Sequence, residues 1–324
     1  MSPRQRILSG IQPSGTLHIG NYFAMMKPAI ELQADNECFY FIADLHALTQ
    51  TPKPEALRER IAQVAVDFLA CGLDPDRTVF FRQSDVTQVT ELTWILNCIT
   101  PVGLLERCHS YKDKLAKGLD ANHGLFSYPV LMAADILIYD SNVVPVGQDQ
   151  KQHLEVTRDL ALRFNNQYGQ TLTVPEPLIG EAVAVVPGTD GQKMSKSYGN
   201  TIEIFGAEKE MRRKIMRMVT DSTPVEAPKN PDSCNVFALY KLFASAAETQ
   251  ALRKLYTDGG MGYGTAKQML FEKYWAYFEP FRRRRAELLA NPDYVERILQ
   301  DGGRRARHVA DETLRRVRTR VGLA

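Results

Sequence analysis

The sequence predicts an α/β fold: a doubly wound parallel sheet followed by an all-helical region. Three observations carry this. Short apolar strands alternate with helical patterns over residues 1–200, and no good strand follows residue 200. The chain has 324 residues, enough for one large domain or two ordinary ones.

Residues 7–11, Ile-Leu-Ser-Gly-Ile, read as a short buried strand ending at a glycine turn. Residues 21–34 carry apolar side chains at helical spacing, with Pro28 predicting a kink or break. Residues 38–43 form a second strand. Residues 54–72 form a strong helix, opened by Pro54 and stopped by Gly72. A strand at 78–81, a helix at 87–97, a strand at 143–146 and a helix at 149–164 follow. This alternation predicts a Rossmann-like sheet covered on both faces, whose ligands bind at the carboxyl ends of strands. Residues 10–21, 44–49 and 147–150 occupy such positions. Beyond residue 200, segments 207–219, 235–248, 265–287, 292–299 and 302–321 read as helices. A boundary is expected near 200, separating a sheet domain (1–200) from a helical region (201–324).

With 44% hydrophobic and 24% charged residues, the composition is that of a soluble globular enzyme. No apolar h-region follows the N-terminus, and no apolar run approaches the ~18 residues needed to span a bilayer. The five cysteines, Cys38, Cys71, Cys98, Cys108 and Cys234, include no CxxC pair. An odd, scattered set suits reduced thiols in a cytosol and gives little support to a zinc or iron–sulfur site. Net charge is +2, but residues 1–200 carry 17 Lys/Arg against 22 Asp/Glu (17 − 22 = −5), and residues 201–324 carry 23 against 16 (23 − 16 = +7). A basic back half suits a polyanionic partner. Its densest clusters, Arg282 to Arg285 and Arg304, Arg305 and Arg307, are also what a solvated helix face looks like.

Two segments carry the chemistry. Gln12-Pro13-Ser14-Gly15-Thr16-Leu17-His18-Ile19-Gly20-Asn21 is a glycine-punctuated turn running into a helix start. Gly10, Gly15 and Gly20 allow close approach of backbone to a ligand, and His18 and Asn21 can donate to phosphate oxygens. A structural turn explains the same glycines. The segment is not GxGxxG, and the chain has no GxxxxGK[ST] loop. Far downstream, Gly188-Thr189-Asp190-Gly191 leads into Lys193-Met194-Ser195-Lys196-Ser197, a loop bringing two cations to a polyphosphate. Lys114 is a candidate third lysine, or a surface one. Asp135 is the conspicuous charge in the apolar run Met132-Ala133-Ala134-Asp135-Ile136-Leu137. A buried carboxylate must meet a donor, either a substrate N–H or a core partner. Tyr128, Met132, Ile136, Val144 and Val146 would line a slot around it suited to a flat aromatic, or form plain core. His46 follows a strand and is a candidate substrate contact; His153 lies on the helix after the fourth strand. Gly147, Gln148 and Asp149 are placed for adenosine hydroxyls, although Asp149 also reads as a helix N-cap.

The two segments resemble the HIGH and KMSKS signatures of class I aminoacyl-tRNA synthetases. Together with residues 128–137 and Pro145-Val146-Gly147-Gln148-Asp149-Gln150-Lys151-Gln152-His153, they are similar to the tryptophanyl family over nearly the whole chain. The resemblance implies that Gln12, Pro13, Ser14, Gly20 and Asn21 hold ATP, with Gly147, Gln148, Asp149 and the loop residues Lys193, Met194, Ser195, Lys196 and Ser197. It implies that Lys193 and Lys196 of the loop act on ATP and that the Val186 backbone contacts adenine, while His18 and Lys114 are candidate catalytic residues from their own chemistry. It implies that Asp135 binds an indole nitrogen, with Tyr128 and Gln12 nearby and Gln150 at the amino acid's polar end; Met132 and His46 join them as substrate-contact candidates from their own positions. It further implies Mg²⁺ with ATP, L-tryptophan and tRNA(Trp) as substrates, a cytoplasmic homodimer, and anticodon recognition by residues 201–324, whose last helices pack back on the first domain. Three departures stand out. Gln148 replaces a frequent Glu, and Leu8 a frequent Phe. Cys234 resembles the first ligand of an iron–sulfur cluster that some members hold, but no cysteine follows it, so no cluster and no zinc are expected. The expected activity is ATP-dependent tryptophan–tRNA ligation. A tyrosine-specific relative, another adenylyltransferase with the same signatures, and an inactive tRNA-binding derivative are the alternatives.

Overall fold

The computed structural model describes residues 5–108, 111–112, 122–145, 151–178 and 186–324. The chain divides into two compact units: Met1–Gly15 with Ala29–Glu181 and Asn291–Ala324, and Thr16–Pro28 with Ala182–Ala290. Among the described residues, no helix is long and apolar enough to cross a membrane.

Among the described residues, the first unit is built on five parallel strands: β1 (Arg6–Ile11), β2 (Glu37–Ile42), β3 (Thr78–Arg82), β4 (Val143–Pro145) and β5 (Glu176–Leu178). Their order is β3-β2-β1-β4-β5, with β1 and β2 in register from Arg6↔Glu37 to Ile11↔Ile42. The order reverses direction at β1/β4, which makes the carboxyl ends of these two strands the switch point where such sheets bind ligands. The strands are apolar on both faces because helices cover both. Ile7, Leu8, Phe39, Phe41, Phe80 and Phe81 are buried, and Phe39 stacks on Tyr139, the residue that caps the helix His123–Ile138. Strand β5 escapes sequence reading because it is three residues long and has Pro177 at its centre, a residue that argues against a strand away from a sheet edge or strand end.

Residues 292–299 and 302–321, expected as two helices, form one helix, Pro292–Val321. Gly302 is the reason it docks on β3 rather than breaking. A Cβ there would lie 1.8 Å from the Phe80 carbonyl oxygen. Arg82 adds a bidentate pair to Glu296 at 3.0 and 2.8 Å. Arg307 donates to the Asp85 carbonyl at 2.6 Å, and Arg316 to Asp140 at 2.6 Å. The division into units therefore differs from a single cut near 200: the terminal helix packs with the sheet.

The second unit is helical: Glu208–Met216, Asn235–Tyr240, Ala246–Asp258, Tyr263–Tyr277 and Glu279–Leu289. Its aromatic cluster joins Tyr22 and Phe23 to Phe243, Tyr277, Phe278 and Phe281. The helix expected over 235–248 ends at Tyr240, because Ser245 and Glu248 form a capping box that starts the next one. The helix expected over 265–287 divides at Phe278, ahead of Pro280. The helix expected over 21–34 starts at Ile19 and passes through a π turn, Tyr22–Met26, just before Pro28.

Gly302→Ala should lower unfolding stability by more than ~2 kcal/mol although alanine favours helices, because the new methyl meets backbone rather than a yielding side chain. Gly303→Ala meets the Asp85 side chain at 3.1 Å and should cost less. Urea midpoints of the two variants give the comparison; equal midpoints would contradict it.

Candidate active site

The second unit brings His18 and the 193–197 loop together, although 175 positions (193 − 18) separate them in sequence. The link is main chain. His18 pairs with Glu203 in an antiparallel bridge. Ile19 N–H donates to the Ile202 carbonyl at 2.9 Å, and Ile204 N–H to the Leu17 carbonyl at 3.2 Å. Gly20 permits the close approach: a Cβ there would sit 2.9 Å from His18 Nδ1 and 3.4 Å from Met194 Cβ. The other candidate glycine behaves differently. A Cβ at Gly10 would strike the Phe41 ring at 2.5 Å, so the absence of a side chain at this exposed position also makes room for Phe41.

His18 is 6% exposed and its ring state is set by its neighbours. Asn21 N–H donates to His18 Nδ1 at 3.3 Å, while His18 N–H donates to Asn21 Oδ1 at 3.2 Å. With Nδ1 accepting, the neutral ring carries its proton on Nε2, which leaves one N–H to give a ligand. Burial is the main cause that lowers its pKa, to about 4; the Lys196 charge lowers it too, and Glu203 partly opposes them.

The loop itself is ordered by residues around it. Met194 is its buried anchor, and its N–H donates to the Val186 carbonyl at 3.0 Å. Asn200 accepts from Ser195 N–H at 2.8 Å and donates to Asp190 at 2.7 Å and to the Lys193 carbonyl at 3.1 Å. Lys193, Lys196 and Ser197 are exposed, with the Ser197 hydroxyl 2.8 Å from that of Ser195.

In the first unit, β1 runs into Gln12, Pro13, Ser14 and Gly15 at the switch point. Ser14 N–H donates to the Gln12 carbonyl at 2.8 Å, and Gln12 and Ser14 are exposed while Pro13 is buried. Tyr128, Met132 and Asp135 are spaced to share one face of the helix His123–Ile138. Asp135 is 2% exposed. His46 Nε2 lies 2.9 Å from its Oδ2, and Gln83 Nε2 donates to both carboxylate oxygens at 2.9 Å. Burial pushes the Asp135 pKa up; His46 and Gln83 pull it down, and Asp44 adds to the rise. The Tyr128 ring stands edge-on to His46 at 6.0 Å, and the Tyr128 hydroxyl is hydrogen-bonded to His153 Nε2. His46 thus touches Asp135 directly, and its backbone N–H is engaged by Gln83 at 3.3 Å. Lys114, Val146, Gly147, Gln148, Asp149 and Gln150 lie outside the described residues.

Gln83, Asn200 and Glu203 escape the sequence reading. Gln83 had a usable signal, a polar residue immediately after β3. Asn200 and Glu203 follow the loop, and only the fold reveals that they hold it.

The sequence profile of the tRNA synthetases class I (W and Y) matches residues 2–279. The chain belongs to that family. A tryptophan–tRNA ligase of Fusobacterium nucleatum is 54% identical over 320 residues, covering 98% of each chain. The Campylobacter jejuni tryptophanyl-tRNA synthetase, solved with ADP and tryptophan, superposes with a TM-score of 0.94 at 50% identity, covering 98% of this chain and 100% of that one. An Archaeoglobus fulgidus tyrosyl-tRNA synthetase shares the fold, with a TM-score of 0.66 at 22% identity and coverage of 88% and 91%.

His18 should titrate near 4 by NMR rather than near its ordinary 6.5. The sign follows. Below 6.5 the unfolded chain takes up a proton that the folded chain refuses, so stability falls as pH drops from 6.5 towards 4, by about 3 kcal/mol in total. A midpoint near 6.5 would contradict the buried neutral ring.

Proposed function

We infer that the protein joins L-tryptophan to its tRNA in two steps. A carboxylate oxygen of tryptophan attacks the α-phosphorus of ATP, and the bond to the β-phosphate bridging oxygen breaks. Tryptophanyl-adenylate forms and pyrophosphate leaves. The 2′-hydroxyl of the terminal adenosine of tRNA(Trp) then attacks the acyl carbon, releasing AMP and a proton. The observation that carries this reading is the meeting of His18 with the 193–197 loop in one compact unit. The near-full-length likeness to tryptophan–tRNA ligases supports the choice of amino acid.

No protein nucleophile is required, since the substrate carboxylate attacks. Catalysis comes from positioning and from charge placed where it develops. Lys193 and Lys196 neutralise the departing pyrophosphate, with Lys114 as a third cation. The neutral His18 ring donates Nε2–H to a phosphate oxygen without adding charge. Gln12, Pro13, Ser14, Gly20, Asn21, Met194, Ser195 and Ser197 hold the nucleotide, which arrives with Mg²⁺. Gly147, Gln148, Asp149 and the Val186 backbone take the adenosine. Asp135 accepts the indole N–H, Tyr128, Met132 and His46 flank the ring, and Gln150 meets the amino acid's polar end. The protein works as a cytoplasmic homodimer, and its basic helical region, residues 201–324, meets the anticodon.

ATP–pyrophosphate exchange should appear with tryptophan and not with tyrosine; exchange with tyrosine alone would keep the fold and overturn the specificity. Lys196→Ala should slow activation by about 10²-fold or more while leaving tryptophan binding within a few-fold. Asp135→Asn should chiefly erode selection of tryptophan over phenylalanine and tyrosine; unaltered selectivity would reject its role.

A further inference from the structure

Gln83 lies on the turn Gln83–Asp85 that follows β3 and is 1% exposed. Its orientation is not ambiguous. Its side-chain oxygen accepts from Leu45 N–H at 3.1 Å and from His46 N–H at 3.3 Å. Two backbone donors fix the oxygen on that side, so the NH₂ group must face Asp135. The turn is held against the same segment a second time: Ser84 N–H donates to Asp44 Oδ1 at 2.9 Å, and Ser84 Oγ to Oδ2 at 2.5 Å. Gln83 is thereby placed before any substrate arrives.

The two oxygens of Asp135 are then unequal. Oδ2 meets both Gln83 Nε2 and His46 Nε2, at 2.9 Å each. Among the described residues, Oδ1 meets Gln83 Nε2 alone, at 2.9 Å. A carboxylate oxygen accepts about two hydrogen bonds. Among the described residues, Oδ2 is filled and Oδ1 keeps one acceptor position.

We propose that Gln83 is a positioning and specificity-determining residue, which holds Asp135 with Oδ2 closed and Oδ1 open to the indole N–H of the amino-acid substrate. This rests on the reading of Asp135 as the indole acceptor. The role of Gln83 is to keep a buried carboxylate ionised, and hence acceptor-only, in surroundings that favour its neutral form. The titratable groups facing Asp135 are His46 and Asp44 on the segment Asp44–Ala47, and Tyr139 at the end of its own helix. The Tyr128–His153 pair lies beyond His46. Asp44 opposes ionisation of Asp135, which leaves Gln83 and His46 as the groups that favour it.

The probes are L-tryptophan and its isostere 3-(benzothiophen-3-yl)alanine, in which sulfur replaces the N–H. Activation is followed by pyrophosphate exchange in the full-length enzyme, against pH. For Gln83→Met, Asp135 loses its fixed donor and protonates more readily. The preference in kcat/KM for tryptophan over the isostere should fall about 10-fold, with KM for ATP within about twofold. KM for tryptophan should rise as pH falls from about 8 to about 5.5.

Gln83→Glu keeps the acceptor for the Leu45 and His46 N–H groups, so it guards against loss of folding. It also sets a second carboxyl beside Asp135, and the pair shares one proton. KM for tryptophan should then rise as pH increases, the opposite sign. A residue that only supported the fold would give neither slope. An unchanged preference and flat pH profiles in both variants would overturn the role of Gln83 while leaving the Asp135 reading intact. A wild-type enzyme that fails to prefer tryptophan over the isostere would overturn both.

Discussion

A short antiparallel bridge between His18 and Glu203 is the contact on which the arrangement of the two signature segments depends. It ties the segment after β1 to the segment after the lysine loop by main-chain hydrogen bonds, Ile19 to Ile202 and Ile204 to Leu17. Backbone pairing is insensitive to side-chain rotamers, so it sets the loop's base without using the residues that do chemistry. Asn200 then orders the loop from within, through Ser195, Asp190 and the Lys193 carbonyl. The two lysines remain exposed because their anchoring is done by Met194 and by backbone.

The amino-acid side of the site solves the opposite problem, a charge that must be buried. Removing one partner of a buried charge costs about 3–5 kcal/mol, several times the worth of a typical surface ion pair. Asp135 is stabilised by His46 and Gln83, and each of those is fixed by another element. The result is a carboxylate whose acceptor direction is decided by the protein. That is what recognition of a single N–H on a flat aromatic requires.

Much of the fold was legible because its strands are buried on both faces and therefore read as continuous apolar runs. The sequence reading stopped short where long-range contact overrides local pattern. Gly302 looks like a helix break and is a docking surface for Phe80. Residues 235–248 look like one helix, yet the Ser245–Glu248 box restarts the chain. Gly10 reads as a ligand-facing glycine, and sequence gives no sign that it also makes room for the Phe41 ring. The candidate site residues stand out in sequence because each is the wrong type for its surroundings: a carboxylate in an apolar helix, two lysines beside a glycine-rich turn. Gln83 and Asn200 do not, because a neutral amide is unremarkable in sequence and gains meaning only from what it touches.

The central claim is that His18 and Lys196 act as one unit on the nucleotide. The most direct test is a double-mutant cycle on the rate of tryptophan activation, using His18→Asn, Lys196→Ala and the pair. The account predicts a coupling energy of about 1 kcal/mol or more, since the Lys196 charge acts on the His18 ring and both are proposed to meet the same phosphates. Additive effects, within about 0.3 kcal/mol, would mean that the two residues serve different parts of the reaction, and would contradict the account.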